Sequence, residues 1–335
     1  MILDKRQRPL RDLRISVTDK CNYRCTYCMP ADVFGESYRF LANDEVLTFA
    51  EIERVARLFV QLGVTKIRLT GGEPLIRPKI ESLISRLAAI SGVEDLALTT
   101  NGTFLAEKAH ALKQAGLHRL TISLDSLDEK IYAAMNGRRG TVQQVMAGIH
   151  QAEIAGFSPI KINCVVKRAV NDHTLVDLAR HFKGTGHIVR YIEYMDAGSM
   201  NGWRMDDVVP ASEIIQKINA AMPLEPIAPN YTGEVARRYR YVDGSGEIGV
   251  VTSVSRPFCG DCSRIRVTAA GELYTCLFGE QRLDLRQLLR TSTDDTMLRQ
   301  KLTQIWHFRD DRYSEIRTAD TNRPARRAEM VRIGG

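Results

Sequence analysis

Six strand-like runs, linked by amphipathic segments, predict an α/β protein with a parallel sheet covered by helices. Three observations carry this. The runs are short and apolar, the segments between them repeat with helical periodicity, and the alternation stops near residue 200, where prolines and a β-rich, cysteine-bearing stretch begin. That change predicts a smaller second domain, with a boundary between residues 200 and 225.

The first run, Leu13-Arg14-Ile15-Ser16-Val17-Thr18, alternates as a strand does. It places Cys21, Cys25 and Cys28 in the loop at its carboxyl end, where α/β proteins hold their chemistry. Thr48 with Glu51 fits a capping box and Leu47 with Ile52 a hydrophobic staple. Ile52, Val55, Phe59 and Leu62 then make one apolar helix face that Gly63 ends. Further strands are expected near Lys66 to Thr70, Asp95 to Thr99, Arg119 to Ser123, Ile160 to Val165 and Ile188 to Tyr194. Helices are expected near Ile80 to Ile90, Phe104 to Ala115, Val142 to Ala155 and Thr174 to Phe182. Six units are too few for a closed eight-stranded barrel. Beyond Gly202, Pro210-Ala211-Ser212-Glu213 opens a short helix that Pro223, Pro226 and Pro229 break. Arg238 to Val242 and Gly249 to Thr252 read as a β pair. Between them, Gly244-Ser245-Gly246-Glu247-Ile248-Gly249 matches a dinucleotide-binding spacing, but a strand follows where that motif needs a helix N-terminus, so it reads as a hairpin.

At 335 residues and 44% apolar content, the chain can bury a sizeable core and form about two domains. No run of about 18 apolar residues occurs, and no apolar stretch backs the initial charges; a cytoplasmic protein without a membrane span is expected. A formal net charge of +7 suits an anionic ligand. The absence of a basic stripe interleaved with aromatics weighs against nucleic-acid binding. No G-x-x-x-x-G-K-S/T occurs, so side chains must hold any nucleoside triphosphate. The seven cysteines divide into trios at 21/25/28 and 259/262/276, plus Cys164, an odd count that favours ligand thiols over disulfides.

Three thiolates within eight residues can converge on one metal centre, but they leave a fourth position open. Structural zinc is closed by four ligands, and no histidine lies upstream or within eighty residues downstream to supply the fourth. An iron-sulfur cluster on three thiolates keeps one iron open to a small molecule. The second trio, Cys259-Gly260-Asp261-Cys262 with Cys276, again supplies three. Cys164 offers a fourth ligand in principle, yet its alternating strand favours a core role. A second open-sided cluster, facing substrate, is the preferred reading. Thr70-Gly71-Gly72-Glu73-Pro74 permits close backbone approach and brings a carboxylate able to accept from an ammonium. Thr99 to Gly102 and Ser123 to Asp125 present small polar groups at the same strand ends. Arg14, Arg68, Arg264 and Arg266 offer forked contacts to phosphate and Lys161 a point charge; Arg264 and Arg266 share a strand face.

The spacing C-x3-C-x2-C, with Tyr27 before its last cysteine, and the Gly-Gly-Glu-Pro turn resemble the radical S-adenosylmethionine (SAM) enzymes. Leu13 to Cys21, Ile67 to Leu75, Tyr191 to Met195, Cys259 to Arg266, Tyr274 to Phe278 and the final Gly334-Gly335 extend the likeness over nearly the whole chain. Together they are similar to the GTP 3',8-cyclases of molybdenum cofactor biosynthesis, the MoaA family. Ser263 and Ala270 stand where Asn and Asp are more usual. The resemblance implies an α/β fold with a six-stranded partial (βα)6 TIM-like barrel over residues 1–215. A smaller C-terminal cluster-binding domain over 216–320, sealing the barrel mouth, and a flexible tail over 321–335 would follow.

The same resemblance implies two 4Fe-4S clusters, on Cys21, Cys25 and Cys28 and on Cys259, Cys262 and Cys276, with SAM on the first and the guanine of GTP on the second. SAM contacts would fall on Tyr27, Gly72, Ser123 and Met195. GTP contacts would fall on Arg14, Arg68, Thr99, Lys161 and Arg264, and catalytic roles on Arg14, Arg264 and Arg266. In the implied reaction an electron from the first cluster cleaves SAM, the 5'-deoxyadenosyl radical takes hydrogen from C3' of GTP, and the carbon radical attacks guanine C8. Reduction then gives (8S)-3',8-cyclo-7,8-dihydroguanosine 5'-triphosphate. Implied partners are a flavodoxin- or ferredoxin-like electron donor and a cyclic pyranopterin monophosphate synthase that receives the product. No nucleic acid or membrane is implied, and the chain would be a monomer or homodimer. Gly334-Gly335 is expected to thread back to the active site. Two other readings stand beside this one: a radical SAM peptide-modifying enzyme with an auxiliary cluster, and a zinc-bearing nucleic-acid binder.

Overall fold

The computed structural model describes residues 2–317 and 329–334. Six strands pair in parallel and in sequence order: β1 (Asp12–Ser16), β2 (Lys66–Thr70), β3 (Asp95–Thr100), β4 (Arg119–Ser123), β5 (Lys161–Val166) and β6 (Ile188–Glu193). Helices α1 (Phe49–Gln61), α2 (Ile80–Ala88), α3 (Leu105–Gln114), α4 (Glu129–Asn136), α5 (Val142–Ile154) and α6 (Leu175–Phe182) connect them. This is a partial (βα)6 TIM-like barrel. The Thr48/Glu51 capping box forms as the residues dictate. Ile52, Val55 and Phe59 of α1 are buried, each side chain contributing about 1.5–3 kcal/mol. Helix α4 is absent from the sequence expectation: Asp128 caps it by accepting from the Lys130 and Ile131 N–H groups at 2.8 and 3.0 Å.

The remaining elements are α7 (Ala211–Ala221), β7 (Leu224–Ile227), β8 (Arg237–Tyr241), β9 (Glu247–Val251), β10 (Arg264–Val267), β11 (Glu272–Tyr274), β12 (Leu283–Asp284), α8 (Leu285–Thr291), α9 (Asp295–His307), α10 (Tyr313–Ile316) and α11 (Met330–Ile333). Their strands make no separate sheet. β10 pairs in parallel with β1 and β9 in parallel with β6, giving the order β12-β11-β10-β1-β2-β3-β4-β5-β6-β9-β8-β7. Both edges of the barrel sheet are thereby extended by later chain. Of the glycine-rich segment 244–249, Gly244 to Gly246 lie in the β8–β9 hairpin turn, with Tyr241 N–H donating to the Gly246 carbonyl at 3.0 Å, and Glu247 to Gly249 open β9.

Strand alternation divides the barrel wall into two faces. Leu13, Ile15, Ile67, Leu69, Leu96, Leu98, Ile122, Ile162 and Cys164 are fully buried core. Asp12, Arg14, Lys66, Arg68, Thr99, Ser123, Lys161, Asn163 and Arg190, on the opposite face, line the lumen. An ordinary TIM barrel fills that space with branched apolar side chains. Here it is polar and hollow. Among the described residues, no helix is long and apolar enough to cross a membrane. The expected tail lies partly outside the described residues, at 321–328 and Gly335.

Candidate active site

The lumen is a cavity of about 540 Å³. Its walls include Tyr27, Gly72, Ser123, Met195, Arg14, Arg68, Thr99, Lys161, Arg264 and Arg266, and all six cysteines of the two trios.

Cys21, Cys25 and Cys28 follow β1, at the carboxyl ends of the strands. The Gly-Gly turn after β2 clasps the start of their loop: Gly72 N–H donates to the Thr18 carbonyl at 2.8 Å and Glu73 N–H to the Lys20 carbonyl at 2.9 Å. A Cβ on Gly72 would collide with the Lys20 carbonyl, so the turn needs glycine. The Glu73 carboxylate accepts from Leu75 N–H, Thr100 hydroxyl and Asn101 N–H at 3.0, 2.7 and 2.7 Å. Most of its acceptor capacity therefore shapes the turn. Burial nonetheless pushes it up to about 7. Tyr27 donates to Asp125 at 2.8 Å, and burial pushes Asp125 up to about 6.

Register sets the basic groups in rows. Arg14 of β1 pairs with Arg68 of β2 on one side and Arg266 of β10 on the other; one level down, Asp12 pairs with Lys66 and Arg264. Burial and then the neighbouring Arg266 hold Arg14 well below its ordinary value; burial and then Arg264 bring Arg266 down to about 10. The Nε atoms of Arg14, Arg68 and Arg266 are buried and, among the described residues, have no hydrogen-bond partner. Such costs in a native site point to an anionic ligand. Arg68 also donates to Thr99 at 3.3 Å. Lys161 is brought down to about 7 by burial, with Arg190 the next cause.

Sequence reasoning missed Arg190. It lies in the lumen wall, donates to Asn163 at 2.9 Å and is pushed down to about 9 by burial and then by Arg68. The available signal was an arginine set between Val189 and Tyr191 in a strand-like run.

Cys259 and Cys262 precede β10, which runs parallel to β1, so they stand at the amino ends of the strands. β11 returns antiparallel and delivers Cys276 to the same end. The expectation that the second domain seals the mouth therefore needs correction: its cysteines close the opposite end. Four residue steps separate the Asp12 and Ser16 levels of β1, about 13 Å at the ~3.3 Å rise of a parallel strand. The two trios thus stand at opposite ends of the lumen wall.

Burial pushes the Cys262 thiol up, but Arg264 and Arg309 outweigh it and bring it down to about 6. Burial holds Cys21 up at about 12, raises Cys25 and Cys28 also, and brings Cys276 up to about 11. Loading metal there must release protons. Among the described residues no group of three or more His, Cys, Asp or Glu side chains would hold a single metal ion. Each trio offers three thiols to the lumen, a donor set that suits a cluster with one open iron better than zinc closed by four ligands. Cys164 stays in the core, its sulfur donating to the Asp125 carbonyl at 3.4 Å.

The mouth is occupied by the C-terminal segment. Glu329 accepts from Ser199 N–H and hydroxyl at 2.9 and 2.7 Å, Val331 packs with Met29 and Phe34, and Ile333 packs on Tyr274. Gly334, at φ +70°, abuts Thr70 and Ser16 so closely that a Cβ would collide with the Thr70 methyl.

An open parallel barrel with a cysteine trio clasped by a Gly-Gly-Glu-Pro turn is the architecture of the radical SAM superfamily, whose model matches residues 15–182; that of Molybdenum Cofactor Synthesis C matches 187–315. The chain belongs, more narrowly, to the GTP 3',8-cyclase family. A GTP 3',8-cyclase of Xanthomonas campestris pv. campestris (strain B100) is 54% identical over 332 residues, covering 99% of this chain and 97% of that one. That of Acidothermus cellulolyticus is 51% identical, covering 96% and 90%, and that of Staphylococcus saprophyticus 43%, covering 100% and 99%. In fold the chain is similar to the crystal structure of Streptococcus suis SuiB bound to S-adenosylmethionine, with TM-score 0.60, 15% identity, and coverage of 86% of this chain and 66% of that one.

Proposed function

We propose that this chain is a lyase that cyclises GTP to (8S)-3',8-cyclo-7,8-dihydroguanosine 5'-triphosphate, the first step of molybdenum cofactor biosynthesis. The observation that carries the reading is the pair of cysteine trios at opposite ends of one basic lumen. Cys21, Cys25 and Cys28 would hold a 4Fe-4S cluster whose open iron takes SAM and supplies the electron for its cleavage to a 5'-deoxyadenosyl radical. Tyr27, Gly72, Ser123 and Met195 border that end and would orient SAM. Cys259, Cys262 and Cys276 would hold the second cluster, at which guanine is seated.

Arg14, Arg68, Lys161, Arg264 and Arg266, with Lys66 and Arg190, would neutralise the triphosphate, while Thr99 positions Arg68. GTP so held would span the lumen between the two trios. Arg14, Arg264 and Arg266 would orient the nucleotide for reaction, and the lumen would keep away other hydrogen donors. We read residues 1–215 as the barrel, 216–320 as the cluster-bearing unit and 321–335 as a tail reaching the site. A cytoplasmic location keeps six ligand thiols reduced. Electrons would come from a flavodoxin- or ferredoxin-like donor, and the product would pass to a cyclic pyranopterin monophosphate synthase.

The test is anaerobic turnover of reconstituted protein with GTP, SAM and a strong reductant, followed by mass spectrometry. 5'-Deoxyadenosine and cyclised nucleotide should appear together, and Cys259→Ser should abolish the nucleotide. Cleavage of SAM with GTP untouched would instead favour the peptide-modifying reading.

A further inference from the structure

Beside the second trio lies a buried ionic network that the reading above gives no role, although Arg309 lines the same lumen. Arg8 and Arg309 have side chains only 1% exposed, and both bind the fully buried Asp4 carboxylate, through the same oxygen, at 2.6 and 3.1 Å. Each arginine then reaches the backbone of one ligand cysteine. Arg8 donates to the Cys259 carbonyl at 2.8 Å, and Arg309 to the Cys262 carbonyl at 2.7 Å. Arg309 also donates from Nε to the carbonyl of Thr275, the neighbour of Cys276, at 3.1 Å. All three arms of the trio are thus tied to two arginines that share one carboxylate. Trp306 backs the device, its ring 4.5 Å from the Arg309 guanidinium and its Nε1–H donating to the Arg8 carbonyl at 3.2 Å.

Arg309 Nε also lies 3.4 Å from a second carboxylate, that of Asp311, and Arg309 Nη2 donates to the Cys262 sulfur at 3.1 Å; Arg264 Nε reaches the same sulfur at 3.4 Å. The Cys21 sulfur is approached by neutral donors instead, Tyr23 N–H at 3.4 Å and the Asn101 amide at 4.0 Å. Buried ion triads are poor stabilisers, often matched or bettered by apolar residues of the same volume. Their retention behind metal ligands has a physical use. Groups that hydrogen-bond the ligands fix ligand geometry, and N–H donors to ligating sulfur favour the reduced, more negative state.

We propose that Arg8, Asp4 and Arg309 are positioning residues of the second cluster, holding its three cysteines in place and, through the Arg309 contact to Cys262, raising its reduction potential. This rests on the reading of the second trio as cluster ligands. The network is assembled from opposite ends of the chain, so the cluster site is completed only when residues 4–8 and 306–311 have met.

The experiment uses the full chain with Cys21, Cys25 and Cys28 replaced by Ser, so that the second cluster alone is observed. Iron per chain, the electron paramagnetic resonance spectrum of the reduced state and the midpoint potential are compared for this parent and its Arg309→Gln and Arg309→Lys derivatives. Arg309→Gln should either shift the midpoint negative with an altered spectrum or, while folded by circular dichroism, load less iron. Arg309→Lys, which keeps the charge but loses the fork, should fall between. An unmoved midpoint, spectrum and iron content in Arg309→Gln overturns the proposal. Should Arg309→Gln not fold, Arg309→Lys decides on the same readouts: a shift supports it and none overturns it. A parent that binds no iron overturns the cluster reading itself, and the proposal with it.

Discussion

Arg14 and Arg266 stand in register across β1 and β10, Cα partners in a parallel pairing, with Arg68 in register on the far side of Arg14. Three guanidinium groups thus share one level of the lumen, and after burial it is Arg266, then Arg68, that hold Arg14 below its ordinary value. Arg266→Leu should weaken GTP binding by about 10- to 100-fold, the value of a charge-assisted hydrogen bond of about 1.5–3 kcal/mol. The same change should raise the melting temperature of the nucleotide-free protein, because it relieves like-charge repulsion. Calorimetric titration and thermal unfolding check the two halves, and a loss of both affinity and stability would count against a ligand-dedicated row.

Lys161 makes binding pH-dependent. Its free-state value is about 7, and a bound triphosphate favours the charged form and must raise it. Above pH 7 the free lysine is neutral, so binding takes up a proton and affinity falls as pH rises, by up to about tenfold per unit until the bound-state value is reached. GTP's own phosphate ionisation opposes this trend. Lys161→Arg, charged throughout, supplies the reference: GTP affinity between pH 6 and 9 should decline in the wild type relative to this variant. Parallel curves would remove Lys161 from the phosphate site.

At Gly334 the prediction is steric. Its positive φ and its contact with Thr70 leave no space for a methyl. Gly334→Ala should cut cyclised nucleotide at least tenfold or so while leaving the fold intact, since the sparsely populated backbone at φ +70° and ψ 134° costs a non-glycine residue about 1–3 kcal/mol. Thr70→Ala in the same chain should restore part of the activity. Full activity in the single variant would show that the segment need not seat as described.

Cys164 separates core from ligand chemistry. It is fully buried among β-strand neighbours, and Cys164→Ala should lower stability by about 1–2 kcal/mol with iron content unchanged. Cys259→Ser, in contrast, should lose about half the iron bound by the wild type, on the two-cluster reading. Iron assay and denaturant unfolding of both variants read this directly.

The barrel was legible because each of its strands is a short apolar run beside a helix of clear periodicity, and the bounds of β2 and β4 match those expected from the residues. Helix α4 escaped because it is only eight residues long and buries Tyr132, Met135 and Asn136, a face too short and mixed to stand out. β7 carries Pro226 and β12 is two residues long, so neither gives a periodic signal; each exists because a neighbouring strand offers an edge. In the site, motif residues announced themselves by type and spacing. Arg190 did not, since only the barrel's closure shows that its side of β6 faces the cavity. The Asp4–Arg309 contact spans 305 positions and follows from no local pattern at all.

The placement of β10 beside β1 also has a consequence for how the chain is made. β1 is complete once residue 16 has been synthesised and can pair with β2 fifty residues later, but its other flank waits for residue 264. During that interval the nascent barrel carries one open strand flank, and β6 carries a second until β9 arrives. Unpaired edges are templates for intermolecular pairing, and contacts so distant in sequence form slowly. The half that resembles a free-standing module is therefore the half least able to stand alone: a protein truncated after β6 should aggregate, and grafting a foreign C-terminal unit would require matching two strand registers at once.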